Sequence, residues 1–527
     1  MLNVLIVALL LAQQEKPPDK CALSGTVVDS VTGVPLGKVD LQLEPTDRND
    51  VAVTKSDAQG HFSLVDVTPG SYHLRAERSG YLKSTYGARR AEGSGPMLRL
   101  DAGQKIDQLT FKLVPSAVIA GTVRDADGEP MEGAHVVLSR FSYEYGSYRI
   151  EGYDSVDTND RGEYRFARLA SGKYYVGAEP SSDVFSAVDH SVAPPTEVSV
   201  ATLYPGVTNA AAAVPIEVTP GRHAENMDIK MVRTRAFRVS GRVVNLPGSA
   251  RMTLALRDAK NPGIWDLPLR TSTQNADGDF ELRGVPPGAW ELKVSGKSLH
   301  GRASVVVGEA DVDGVRVELT AGADLKLRVT EEGSDKASFT DSELGYFLTS
   351  NGREGFGSWE PGGERFTIRN VPPDHYVLKL EGTELRKFYV KSVIAGSNDI
   401  LADGLTIAGG DPVMVGVVLG ADGGFLQGVV RDKDGQPVAG ATVLLAPDQR
   451  MRADRYVDTT SDVNGHYEFP AISPGGYRLF GWGDVEPKAW NDPEFLKGCE
   501  DLSQALTIGS GERKTADLRA VDRSGAK

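Results

Sequence analysis

The chain has 527 residues, of which 59 are Gly and 29 Pro, so about one position in six interrupts regular backbone, more than a helical bundle carries. Lys and Arg number 58 against 72 Asp and Glu, and the net charge of -14 argues against attraction to nucleic acid or anionic lipid as the main activity. A hydrophobic fraction of 40% and a charged fraction of 25% suit several folded cores, and the length predicts three or four domains, or more if they are small sandwiches.

At the N-terminus, residues 4–11 form an apolar run about half as long as the roughly 20 residues a membrane-spanning helix needs. Ala12 and the polar residues 13–16 follow it, so residues 1–14 read as a signal peptide for a secreted or periplasmic protein, although no Lys or Arg precedes the run. Cys21 and Cys499 are the only cysteines, and without a Cys-x-x-Cys they cannot form a zinc site by themselves. Either they join the first and last domains in a disulfide, which needs Cα atoms within about 7 Å, or they are two buried thiols.

One pattern is then written five times. Gly60, Gly162, Gly278 and Gly465 each close an Asx-type turn, an aromatic follows two residues later (Phe62, Tyr164, Phe280, Tyr467), and a second turn carries Gly70, Gly172, Gly288 or Gly475. Two residues beyond that turn stands another large ring, Tyr72, Tyr174, Trp290 or Tyr477. A fifth copy keeps the spacing without the glycines, through Glu364, Phe366, Asp374 and Tyr376. Apolar and polar residues alternate on both sides of the second turn, which predicts a β-hairpin with one face packed and the second set of rings buried. Upstream of four copies stands a block with Gly25, Gly121, Gly241 or Gly428, and each unit closes on another alternating strand, such as residues 109–113.

Six or seven short strands per unit predict an all-β chain of five tandem antiparallel β-sandwich domains. The expected boundaries are 15–115, 116–235, 236–322, 323–420 and 421–527. The run from Gly25 to Tyr72 resembles the carboxypeptidase regulatory-like domain, most strongly in the first, second and fifth units, partly in the third, and only in spacing in the fourth. That resemblance implies a prealbumin-like, Ig-like sandwich grouped with carbohydrate-binding-like folds. Residues 86–90 and 203–206 are similar to segments of multi-domain bacterial exported proteins built from this module.

No zinc, nucleophile or phosphate-binding motif accompanies the repeat, so the expectation is a protein that is not an enzyme and uses no cofactor. Asp125, Asp127 and Gly128, like Asp432, Asp434 and Gly435, begin as a calcium loop does but lack its later ligands, and read as turns. His61, His73 and His466 adjoin inward rings and are expected to face solvent. The candidate ligand-binding residues are aromatic: Tyr143, Tyr145 and Tyr148 in the second unit, and Trp482 and Trp490 in the fifth, beside a short helix expected over residues 492–500 with Asp492 as N-cap. For the tyrosines the alternative is that they continue a strand face into the core. The expected role is a non-catalytic binding or scaffold protein. Polysaccharide or another cell-envelope component is the partner class the resemblance implies, and a structural spacer or adhesin-like stalk engaging protein partners is the alternative.

Overall fold

The computed structural model describes residues 19–46, 50–88, 95–144, 147–180, 196–248, 250–259, 266–272, 277–333, 345–350, 353–355, 358–360, 365–381, 386–450, 452–485 and 488–522. Strands dominate, and the chain divides into two compact units, residues 1–115 and 116–527. The first unit holds one sandwich and the second holds four, each with its own buried cluster of side chains.

One plan serves all five. In the first sandwich, Cys21–Asp29 lies between His61–Val67, to which it is antiparallel, and Lys105–Leu113, to which it is parallel. The facing sheet is built on Asp40–Pro45 and Gly70–Glu77. Leu23, Val27, Phe62, Leu64, Tyr72 and Leu74 meet between the layers, all under 5% exposed. Each first strand downstream repeats the arrangement: Ala117–Arg124, Phe237–Val244, Ala323–Glu331 and Gly424–Arg431 all take one antiparallel neighbour and a parallel flank, filled by one strand in the third and fourth sandwiches and by two short strands in succession in the second and fifth.

The sheets are therefore antiparallel except along the parallel flank of each first strand and, in the fifth sandwich, where Val521–Asp522 runs parallel to Gly475–Asp484, features that periodicity alone does not reveal. The expected hairpin is also corrected. His61–Val67 pairs with the first strand whereas Gly70–Glu77 pairs with the second, so the Pro69–Gly70 turn carries the chain from one layer to the other. The same separation recurs in the other four units. Alternation and turn residues locate strands and reversals, but a two-residue turn is equally able to join partners in one sheet or neighbours in two.

The glycine of the upstream block has a steric cause. A Cβ on Gly25, Gly121, Gly241 or Gly428 would lie 2.2, 2.3, 1.9 or 1.8 Å from a carbonyl oxygen of the closing strand, those of Leu109, Met227, Val315 and Ala516. The parallel register is interrupted there in the first and third sandwiches, pressing that carbonyl inward. In the fourth sandwich the parallel register runs unbroken from Leu325 to Glu331, and Leu327 occupies the glycine position. The glycine accompanies the interrupted register, because only a residue without a side chain fits beneath the displaced backbone.

Candidate functional site

The rings after the interlayer turn are all in the core, with Tyr72, Tyr174, Trp290, Tyr376 and Tyr477 no more than 9% exposed. A buried hydroxyl or indole N–H needs an acceptor. Tyr72 donates to the Thr68 carbonyl at 2.5 Å, Tyr174 to Ala170 at 2.9 Å, Trp290 to Pro286 at 3.0 Å, Tyr376 to Pro372 at 2.9 Å and Tyr477 to Ser473 at 2.6 Å. Every acceptor lies four residues back, so the ring ties down the turn that it follows. These aromatics hold the fold together.

The aromatic segment of the second sandwich lies on a long hairpin of His135–Glu144 and Ser147–Asp157, in which Tyr143 pairs with Tyr148. Their side chains, and Tyr145 altogether, lie outside the described residues. At the base of this hairpin the Arg140 guanidinium sits 4.3 Å from the ring centres of both Tyr153 and Tyr174. Tyr153 remains 40% exposed, and the arrangement is that of a cation held between two aromatic faces.

In the fifth sandwich Trp482 is 1% and Trp490 8% exposed. Trp482 stacks on Phe480 at 5.3 Å and on Trp490 at 6.3 Å, and Phe495 packs against it tilted by 45° at 5.8 Å. These rings, with Leu444, Ala446, Leu496 and Cys499, form a second core on the outer face of the sheet, roofed by the insertion after residue 485. Asp492 does cap a helix, accepting from the Glu494 N–H at 2.9 Å, but the helix covers only Pro493–Lys497 and stops at Gly498. The tryptophan faces are occupied by one another, so a stacked sugar would first have to displace the roof.

The two cysteines of the expected disulfide lie in separate cores. Cys21 is buried in the first core, its Sγ 3.0 Å from the Asp101 carbonyl oxygen, and Cys499 is buried beneath the tryptophans. Each thiol packs as a small apolar group within its own sandwich.

The turn Asp and Asn side chains serve their own backbones. Asp57, Asn159 and Asp462, and likewise Asp125 and Asp432, each accept two N–H groups, from the residues two and four positions ahead, at 2.8–3.0 Å. Among the described residues no three His, Cys, Asp or Glu gather as a metal site would require. His61 is exposed near Asp57, whereas His73 is half-buried and that burial lowers its pKa. Arg89 and Arg90 lie outside the described residues.

Between the modules of the second unit the contacts are polar, a feature no sequence motif announced. His300 Nε2 lies 3.0 Å from Asn370 Oδ1, and Arg302 lies 3.3 Å from Asp374, joining the third and fourth sandwiches. Between the fourth and fifth, Asp422 takes a hydrogen bond from Tyr389 at 3.0 Å and another from Ser510, while its carbonyl accepts from Gly511 at 2.6 Å. Burial, followed by the neighbouring Asp422 carboxylate, pushes the Tyr389 hydroxyl up to about 12. In the same unit the turn Ala489–Asn491 lies against strand His135–Glu144, bringing elements of the second and fifth sandwiches together.

The sequence profile of the carboxypeptidase regulatory-like domain matches residues 22–114, 118–232 and 426–480. The chain carries carboxypeptidase regulatory-like domains. The third and fourth sandwiches fall outside the matched stretches, yet keep the regulatory-like strand plan. No curated protein matches the chain. Among solved structures, a streptococcal ancillary pilin aligns at 10% identity over 57% of this chain and 99% of its own, with a TM-score of 0.19. The minor pilin of Streptococcus agalactiae aligns at 11% identity over 40% and 95%, with a TM-score of 0.22. The Bacillus anthracis TIE protein aligns at 13% identity over 57% of this chain, with a TM-score of 0.17, and the chain spans about half of that protein, 51%. Likenesses this distant assign neither partner nor activity. No helix among the described residues is long and apolar enough to cross a membrane.

Proposed function

We propose that the chain is a non-catalytic, exported scaffold of the cell envelope, a spacer of sandwich modules that presents surfaces to polysaccharide or protein partners. The observation that supports this reading is the way the modules of the second unit are joined. The third sandwich ends in Thr320–Ala321, paired back onto Leu299–Val307, and the fourth begins at Ala323 with Gly322 N–H bonded to Ser298. Three residues separate Val413–Gly420 from Gly424–Arg431, and Asp422 within them is bonded from both sides. Short connections with satisfied polar groups hold neighbours in register, as a spacer requires and a flexible tether does not.

Limited proteolysis and hydrogen exchange test the idea. Residues 320–323 and 420–424 should resist cleavage and exchange slowly; cutting there as readily as in an unstructured peptide overturns the spacer. Peptidase activity of the purified chain, abolished by a chelator, would overturn the non-catalytic part. Export is tested by fractionating cells that express the chain with and without residues 1–14, and equal retention of both in the cytoplasm would refute it.

A further inference from the structure

The outer face of the three-stranded sheet of the third sandwich, made by Asp279–Val285, Phe237–Val244 and Val312–Glu318, carries an unusual row. Val243 and Val317 point into the core, so their neighbours Arg242 and Arg316 point outward, and these two are direct register partners on parallel strands. Asp279 completes the row as the antiparallel partner of Arg242. Like charges in register are unfavourable. The same row reads Thr26 with Thr110 in the first sandwich, Thr122 with Asp228 in the second, Arg328 with Gly416 in the fourth and Val429 with Asp517 in the fifth. The fourth also sets Arg328 beside Arg365 across its antiparallel pair, but in this row only the third sandwich sets two arginines side by side across its parallel pair.

A groove of about 520 Å³ opens over this row, its lining including both arginines, Ser240, Asp279, Glu281 and Gly314. Arg242 Nε reaches Asp279 at 2.7 Å and Arg316 reaches Glu318 at 3.2 Å, and all four side chains are more than one third exposed. A guanidinium has five N–H donors in a planar fork, so these pairs occupy only part of each. Across the groove, Glu281 is bonded by Arg283, and Ser240 donates to Asp313 at 2.5 Å while Arg238 pairs with Asp311 and Asp313. The groove therefore offers guanidinium donors to an anion and, in Asp279 and Glu281, carboxylates that accept from hydroxyls.

We propose that this groove binds an acidic sugar unit of a polysaccharide, its carboxylate bridging Arg242 and Arg316 and its ring hydroxyls donating to Asp279 and Glu281. A plain carboxylate on a peptide would meet Asp279 and Glu281 with no hydroxyl to offer them. The assignment goes beyond the scaffold reading and does not need it: loss of sugar binding leaves the joined modules intact, and a flexible array leaves the groove intact.

The test is titration of the full chain with polygalacturonate, followed by calorimetry. Saturable binding is expected, weakened by salt at about 0.5 M and lowered about tenfold in the R242T/R316T variant, as loss of charge-assisted pairing predicts. That variant copies the Thr26 and Thr110 row of the first sandwich, and its thermal melt checks folding. Methyl-esterified polygalacturonate should not bind, which decides the matter on the unaltered chain should the variant not fold. Absent binding, equal binding of the methyl ester, undiminished binding by the folded variant, or equal binding of polyglutamate would each overturn the proposal.

Discussion

Removal of the Tyr477 ring should cost about 3–5 kcal/mol in Tyr477→Ala, the scale of a large buried aromatic. Tyr477→Phe keeps the ring but leaves the Ser473 carbonyl without its donor, for a loss of about 1 kcal/mol. Urea melts separate these two contributions, and equal losses would show that the hydroxyl matters more than the packing. A second residue-scale signature sits six positions after the first turn glycine, where Asp66, Arg168, Gly284, Asn370 and Ala471 all have positive φ, between 51° and 76°. Ala is the poorest choice there apart from a β-branched residue, so Ala471→Gly should stabilise the fifth sandwich by about 1 kcal/mol in the same assay. Asp29 gives a pH signature. Its burial opposes ionisation, but the backbone N–H groups of Thr32 and Val31 and the Tyr81 hydroxyl outweigh that and lower its pKa. A depressed carboxylate stabilises the fold above its unfolded value and ceases to do so as pH falls through the folded one. Melting between about pH 5 and pH 2 should therefore lose part of its acid dependence in Asp29→Asn.

At the level of elements, the repeat spacing located strands and turns because period two and Gly-rich reversals are local properties. The parallel return of Lys105–Leu113 beside Cys21–Asp29 was not legible, since nothing in either strand specifies a partner so far along the chain. Trp482 shows a related limit. In Gly475–Asp484 both faces are apolar from Leu479 onward, because the sheet packs inward on the sandwich core and outward beneath the insertion, and alternation then no longer tells core from site. The link through Tyr389 is an element-scale device with its own titration. A tyrosine whose pKa is raised keeps its contribution below the ordinary value near 10 and loses it as pH rises through about 12. Tyr389→Phe should speed amide exchange in residues 420–424 at neutral pH while leaving the fifth core protected; unchanged exchange there would remove Tyr389 from the junction.

For the whole molecule, five sequence repeats became five separately packed cores, and their independence follows from the rings that fill them: each motif supplies its own interior. The candidate surfaces were less legible, because a site on an outer sheet face depends on which strands become neighbours. Arg242 and Arg316 are 74 positions apart in the chain and meet only through the parallel pairing. Pairing of this kind also governs how the molecule is made. The first strand of every sandwich takes its parallel partner from late in the same module, more than seventy residues later in the third sandwich and more than eighty in the first. A ribosome delivers these strands in order, so the parallel flank of each first strand can gain its partner only near the end of its own module's synthesis.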